Sequence, residues 1–522
     1  MRRCIVVGFL SCFGLTLAGL DGATSAAAPK PLTRGDLRWL NRVTFGINSD
    51  VVARYQRLGR TRFLDEQLHP DAGDPIELTA AIAALSVSQQ TADQRVKDVR
   101  AEQQRINTLA SDDDKQKARM ALNQRSSQVL NDTSRRYLLR AVRSPAQLRE
   151  QMTWFWMNHF NVFSGKANAR WTLADYEQTL RVQALGRFRD LVLATVTSPA
   201  MLEYLDNAQS AVGRINENYA RELLELHTLG VSGGPSGSKY SQQDVQELAR
   251  VLTGVGVNFT DTPPRLPANR QALYVRRGLF EFNPARHDFG PKVVLGHSIE
   301  GAGFGEVEDV VTWLCRRPAT AAFISRKLAT YFVADEPPAR LVDAMAQTFQ
   351  RTDGSIPDVL RVMFTDREVA SAFEATGAAT KRVEKFKDPV RFVVSSLRLA
   401  YDGQTFPNFQ PVVNWLSQLG EPLYGRLTPD GYPLSEQAWT SSGQMVRRFE
   451  IARAIGSGSA GLFNTDDNKP GPSVGFPMLT NRLFYDVVEP ALAQGTRAAL
   501  KRTASQQEWN TVLLSSPDWM QP

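Results

Sequence analysis

The sequence predicts a mainly α fold: a multi-helix globular bundle with a small antiparallel β-hairpin element and a polar helical hairpin arm. Three observations predict it. Apolar residues recur at helical spacing, most densely in QMTWFWMNHFNVF (Gln151–Phe163), where Met152, Phe155, Trp156, His159, Phe160 and Phe163 share one face. Short β-like runs are confined to residues 255–298, where VGVNF, ALYV, GLFEF and KVVLG are separated by Pro, Gly and Asn. Residues 86–143 turn polar, with Ser111-Asp112-Asp113-Asp114 placed as a bend and as the N-cap of a second arm.

The chain has 522 residues, 42% hydrophobic and 22% charged, the balance of a folded globular protein. That length fits one large domain, read here as residues 28–522. The formal charge of +7 is spread among acids, which describes solvated helix faces and argues against a nucleic-acid groove. Residues 1–27 read as a signal peptide: Arg2 and Arg3 lead, Cys4–Leu20 is apolar, and Ala23–Ala28 supplies small residues for cleavage after Ala26 or Ala27. Gly8, Ser11, Gly14 and Gly19 make that run a poor lasting membrane span, and no other segment is apolar enough. The expected location is therefore periplasmic or secreted. Cys4 and Cys12 leave with the signal, so Cys315 stands alone and no intramolecular disulfide can form. Its setting, VVTWLCRRP, reads as a buried position rather than a reactive one.

In chain order, Leu32–His69 carries two helices broken by Gly46 and closed by Pro70. Ser144-Pro145 precedes the aromatic helix. Helices follow over Thr172–Leu185 and over Leu191–Leu205, the latter interrupted at Ser198-Pro199. Asn216–Leu229 (NENYARELLELHTL) is strongly helical, with Asn216 as cap, Ala220, Leu223, Leu224 and His227 as its apolar stripe, and Glu217, Arg221 and Glu225 as an outer ladder. Gly230 ends it, and SGGPSGSK reads as a flexible loop without Walker spacing. Ser241 and Asp244 make a capping box for the next helix. The β-like region turns at Arg286–Gly290. Pro318 opens a helix bearing Phe323, Ile324, Leu328 and Tyr331; Asp388-Pro389 opens another that reaches Tyr401.

Several constellations carry chemistry. His159, His227, His287 and His297, with Glu222, Glu225 and Asp288, include the donors that zinc, manganese or iron prefer. A divalent metal is thus one expectation, although no tight ligand spacing occurs and isolated core histidines are commoner. Glu222 and Glu225 form a carboxylate pair suited to acid–base work on a glycan, set against the plainer reading of a salt-bridged outer face. No GxSxG nucleophile is present. Trp415, Tyr424, Tyr432 and Trp439 offer sugar platforms, set against ordinary core packing.

The blocks WFWMNHFNV, NENYARELLELHTLGV, YSQQDVQELARVLTG, HDFGPKVVLG, RPATAAFISRKLATYFV and TPDGYP, in this order, resemble a bacterial family called domain of unknown function 1800, over about Leu37 to Leu514. The resemblance implies an exported, mainly helical protein that works with an exported partner encoded nearby. It highlights Asn158, His159, Asn216, Glu217, Asn218, Arg221, Glu222, Glu225, Asp244, Thr253, Gly254, His287 and Asp288. One departure is Arg317, where the family usually has histidine.

Two functions follow as expectations. The first is an exported hydrolase of polysaccharide or cell-envelope material. In it, His159, Glu222, His287 and Asp288 converge as catalytic groups, with Asn158, Asn218, Arg221 and Glu225 binding the glycan substrate. The second is a non-catalytic scaffold or binding protein in which the same residues are structural.

Overall fold

The core is built around one helix, Gln147–His159, of which every residue but Arg149 is buried. A helix buried on nearly every face belongs in the middle of a protein, and its rings meet edge-on or tilted: Phe155 with Trp156, Phe155 with Tyr331, and Trp156 with Phe188. In the computed structural model the described residues are 31–71, 73–231, 240–260, 262–300, 303–375, 383–465, 469, 471 and 475–521. The expected signal peptide, the loop 232–239 and residues 301–302 lie outside them. From Pro31 onward the chain is one compact unit. It is mainly helical, with two small antiparallel sheets.

The polar residues of the central helix are spent on neighbouring backbone and buried charge. Gln147 Nε2 donates to Ala141 O and Ser144 O, and its Oε1 accepts from Phe45 N. Gln151 Nε2 donates to Arg42 O while its Oε1 accepts from Arg391 Nη2. Glu150 takes a fork of bonds from Arg181 at 2.8–3.1 Å. Each contact satisfies a group that would otherwise be costly to bury.

The helix ends at His159, earlier than the expected Phe163. Phe160 leaves helical geometry (φ −104°, ψ 54°). Asn161 Nδ2 then donates to Arg426 O and Thr428 O, and Ser164 N donates to Tyr424 O, so the chain is captured by the segment 424–428 instead of continuing its turn. Phe160 still reaches the core, and its carbonyl accepts from Tyr176.

The polar hairpin is present as Ala92–Thr108 and Asp112–Arg143, with the Ser111 hydroxyl capping the second arm. It is an exposed arm only in its distal part. From Val129 onward the second helix is buried against Ala169–Gln183, where Arg136 and Arg140 pair with the fully buried Glu177. Val129, Leu138 and Ala141 are among the buried residues of that half.

The expected β element is two sheets. Strands β1 (Val255–Val257), β2 (Val275–Arg277) and β3 (Phe280–Phe282) are antiparallel in the order β1-β3-β2, with Val255 opposite Phe282. Strands β4 (Lys292–Val294) and β5 (His297–Ile299) form a hairpin closed by Leu295 and Gly296, both at positive φ (51° and 76°). Asp244 Oδ1 accepts from Leu295 N at 2.7 Å and holds the leucine there.

The aromatic residues considered as sugar platforms are core. Trp415, Tyr424, Tyr432 and Trp439 are 8%, 4%, 8% and 4% exposed. Tyr432 and Trp439 also direct their polar tips to backbone carbonyls of Pro422 and Pro433.

Trp156 is fully buried and donates to Ala184 O at 3.0 Å. Trp156→Ala is expected to lower stability by about 3–5 kcal/mol, read as a shift of the urea midpoint; a loss under about 1 kcal/mol would show that this helix is not the centre of the packing.

Candidate functional site

The eight predicted site residues fall into separate groups. At the end of the central helix, Asn158 is bonded both ways to one residue: its Nδ2 donates to Tyr432 O at 3.0 Å and its Oδ1 accepts from Tyr432 N at 2.5 Å. The loop approaches so closely that a Cβ at Gly431 (φ +76°) would sit 2.1 Å from Asn158 O. Asn158 is therefore a loop latch rather than a substrate ligand.

His159 is 2% exposed and ringed by Phe155, Phe160, Phe188 and Phe323. Its Nε2 donates to His227 O at 3.1 Å, and its Nδ1 accepts from Lys327 Nζ at 2.9 Å. Burial, then the Lys327 charge, holds the imidazole far below its usual range, so it is neutral. His227 lies on a π-helical stretch, Leu223–Thr228, that follows the α-turns Asn218–Glu222. The expected single helix Asn216–Leu229 thus starts later, since Asn216 Oδ1 accepts from Asn218 N and turns the chain there, and it widens midway. Leu229 N reaches back to Leu224 O, and the Thr228 hydroxyl to Leu223 O, which absorbs the extra residue. The widening keeps His227 fully buried, with its imidazole brought down to about 3 by burial and by Lys327.

The carboxylates of this helix part company. Glu225 accepts from Tyr240 at 2.8 Å. Glu222 is half-buried, and burial followed by the Glu225 charge raises its carboxyl. Arg221 spans Glu217 at 3.6 Å and Gln242 at 2.8 Å on the surface, so the outer ladder exists for Glu217 and Arg221 but passes to Gln242 instead of Glu225. Asn218 Nδ2 donates to Leu205 O and closes the turn beneath it.

His287 and Asp288 belong to a different cluster, and no hydrogen bond, ion pair or ring contact among the described residues joins it to His159 or Glu222. His287 Nδ1 donates to Thr253 O at 2.7 Å, and Nε2 lies 3.1 Å from Glu306 Oε1. Glu306 also takes Lys292 Nζ at 2.7 Å; both side chains are almost wholly buried. Burial alone would raise the Glu306 carboxyl, yet His287 and Lys292 hold it below its ordinary value. Asp288 binds Arg250 at 2.8 and 3.3 Å, accepts from Gly290 N, and its own N–H donates to Thr253 Oγ1. The Arg250 bond depresses its carboxyl. Gly254, at φ +81°, lets this turn close: a Cβ there would meet Asn283 O at 2.7 Å. The expected convergence of His159, Glu222, His287 and Asp288 is thus not formed, because the partners of the last two come from Gln242–Val251, Thr253 and Phe304–Cys315.

Among the described residues no three His, Cys, Asp or Glu side chains are grouped to hold a metal ion. His159 has both nitrogens engaged, and His287 and Asp288 are held by Thr253, Glu306 and Arg250. Cys315 is buried, which pushes its thiol up and leaves it unreactive. Arg317 precedes the helix Pro318–Phe332 and lies 5.0 Å over Trp313, with no side-chain capping bond. Four surface cavities, of about 60 to 310 Å³, have none of the eight predicted residues in their walls.

Lys327, Glu306, Lys292 and Arg250 escaped the reading of the sequence as site residues. Lys327 had a signal: it stands one turn after Phe323 on the same face of the Pro318 helix, a cation on an apolar stripe. Glu306 had none, since its partners come from distant segments.

The family described as a protein of unknown function (DUF1800) matches residues 38–521, nearly the whole chain. No curated protein and no solved structure matches.

Glu306→Gln leaves Lys292 buried without a counter-charge and is expected to cost about 3–5 kcal/mol at neutral pH. Because pairing holds Glu306 below its unfolded value of about 4.3, its contribution is complete above that pH and fades as pH falls through the lower folded value. Urea midpoints of wild type and variant should separate at pH 7 and converge in acid; a gap that stays constant from pH 7 to 3 would contradict this.

Proposed function

The chain belongs to the DUF1800 family, and on that premise we propose that it is an exported binding or scaffold protein that works with an exported partner. One observation carries this reading. The polar groups best suited to chemistry are consumed inside the protein: Asn158 on Tyr432, His159 on His227 and Lys327, His287 on Thr253 and Glu306, and Asp288 on Arg250. What remains at the surface is the Glu217–Arg221–Gln242 row, a polar strip that suits a protein partner's rim. Export rests on residues 1–27 and on a mature chain with Cys315 alone. Among the described residues no helix is long and apolar enough to cross a membrane.

A second reading, hydrolysis of polysaccharide or envelope glycan, is kept because of Glu222. A half-buried carboxyl raised by its surroundings is suited to a general acid. It lacks a free second carboxylate on its own helix, since Glu225 is bonded to Tyr240.

Expression of the full chain in a bacterial host, followed by intact-mass analysis, should give a mature N-terminus after Ala26 or Ala27; a chain retaining Met1 inside the cell would remove the exported premise. Co-expression with the exported product of the adjacent gene should give co-elution that Arg221→Glu weakens at least tenfold, as reversal of a rim charge opposes association. Turnover of peptidoglycan or soluble glycan that vanishes in Glu222→Gln would replace this reading with the hydrolase.

A further inference from the structure

Lys327 is explained neither by the bonds that fix the central helix nor by the His287 cluster. It lies partly buried on Pro318–Phe332, with Nζ 5.5 Å from the centre of the Phe323 ring. Nζ donates to His159 Nδ1 at 2.9 Å. The other His159 nitrogen donates to His227 O, which sets the tautomer and leaves a lone pair facing the lysine. Among the described residues no carboxylate forms an ion pair with Lys327. Beside it, His227 is fully buried and neither ring nitrogen has a hydrogen-bond partner. The molecule thus keeps a lysine against a neutral imidazole and aromatic rings, at the end of its most buried helix, where a Leu or Met would pack at lower cost.

We propose that Lys327 is a nucleophilic amine that captures a neutral aldehyde or ketone as a Schiff base, a covalent site that goes beyond the binding role above. An amine without a counter-ion in an apolar setting loses support for its charged form and holds a free electron pair nearer neutrality. Burial brings this ammonium down to about 8. The groups that act on it are His159 from the central helix, His227 from the π-helical turn and Asp430 from the TPDGYP loop. Both imidazoles are neutral; Asp430, the His159 lone pair and the Phe323 face favour the ammonium, and burial outweighs them. Asp430 also acts on Glu222, so the surroundings repel an anionic electrophile and select an uncharged carbonyl.

The step balances without an oxidant or reductant. The ammonium releases one proton to solvent. The Nζ electron pair attacks the carbonyl carbon, a C–N bond forms, and the π pair moves to oxygen. The nitrogen then loses its two remaining hydrogens, the oxygen gains two, and water leaves as the C=N bond forms. His159 acts as a positioning residue, accepting from the amine while the pair is delivered.

The full-length folded protein would be treated with propanal and cyanoborohydride, whose hydride reduces the imine to a stable secondary amine, across pH 6 to 11. Peptide mass spectrometry reads each lysine. Lys327 should titrate with a midpoint near 8 and, at pH 8, outpace the exposed Lys117 and Lys501 by on the order of tenfold, since ordinary lysines titrate at about 10.4. His159→Gln should move the Lys327 midpoint while the labelling of Lys117 and Lys501 stays unchanged. If that variant does not fold, the wild-type profile decides alone. A Lys327 midpoint equal to that of the exposed lysines, or labelling slower than theirs at every pH, overturns the proposal and leaves the binding reading standing.

Discussion

Burying an amide, an acid and an imidazole on the helix Gln147–His159 is affordable only because each finds a partner from a segment far away in sequence. Gln151 alone bonds to Arg42 and Arg391, and Glu150 is gripped by Arg181. An unpaired buried donor or acceptor costs about 1–3 kcal/mol, more when charged. The surrounding helices must therefore hold their positions or leave those groups stranded. This constraint sets where Leu32–His69, Pro318–Phe332 and Pro389–Tyr401 can lie, and it gives a large helical core directional bonds that apolar contact alone does not supply.

The same logic operates in a second place. His287, Lys292 and Glu306 form a buried triad that ties the β4–β5 hairpin to the helix Phe304–Cys315, while Arg250 and Asp288 tie the preceding turn to Gln242–Val251. Buried ion pairs of this kind are weak contributors to net stability and strong penalties when one partner is removed. Their effect here is to fix one arrangement of two small sheets that are too short to hold themselves. His287 and Asp288, which look catalytic by type, are held here in buried and half-buried contacts.

A third group of titratable residues gathers at the end of the central helix. The π-helical turn places His227 beside His159 and sends its carbonyl to the imidazole. Lys327 completes the row, and the loop held by Asn158 brings Asp430 into electrostatic range of both Lys327 and Glu222. A lysine with a lowered ammonium pKa and a carboxyl with a raised one are shifted toward each other's proton affinity. Shifts of this kind, driven by burial, are enriched at functional sites, and Lys327 is one that residue type alone did not pick out.

Local pattern in the sequence was enough for the helical class, the central aromatic helix, the capping box at Ser241, the polar hairpin and the gathering of the strands into one region, expected at 255–298 and found from Val255 to Ile299. Periodicity and caps act over a few residues, so they are visible without a fold. The family blocks were equally legible, since they are local strings. Tertiary structure decided the rest. It stopped the central helix at His159 because Asn161 found carbonyls in the 426–428 loop, and it widened the turn at His227. It also separated His287 from His159 and turned the aromatic platforms into core. The stop at His159 depends on partners hundreds of residues away and the placing of His287 on partners tens of residues away, and a hydrogen bond between such partners leaves no mark on the spacing of either one.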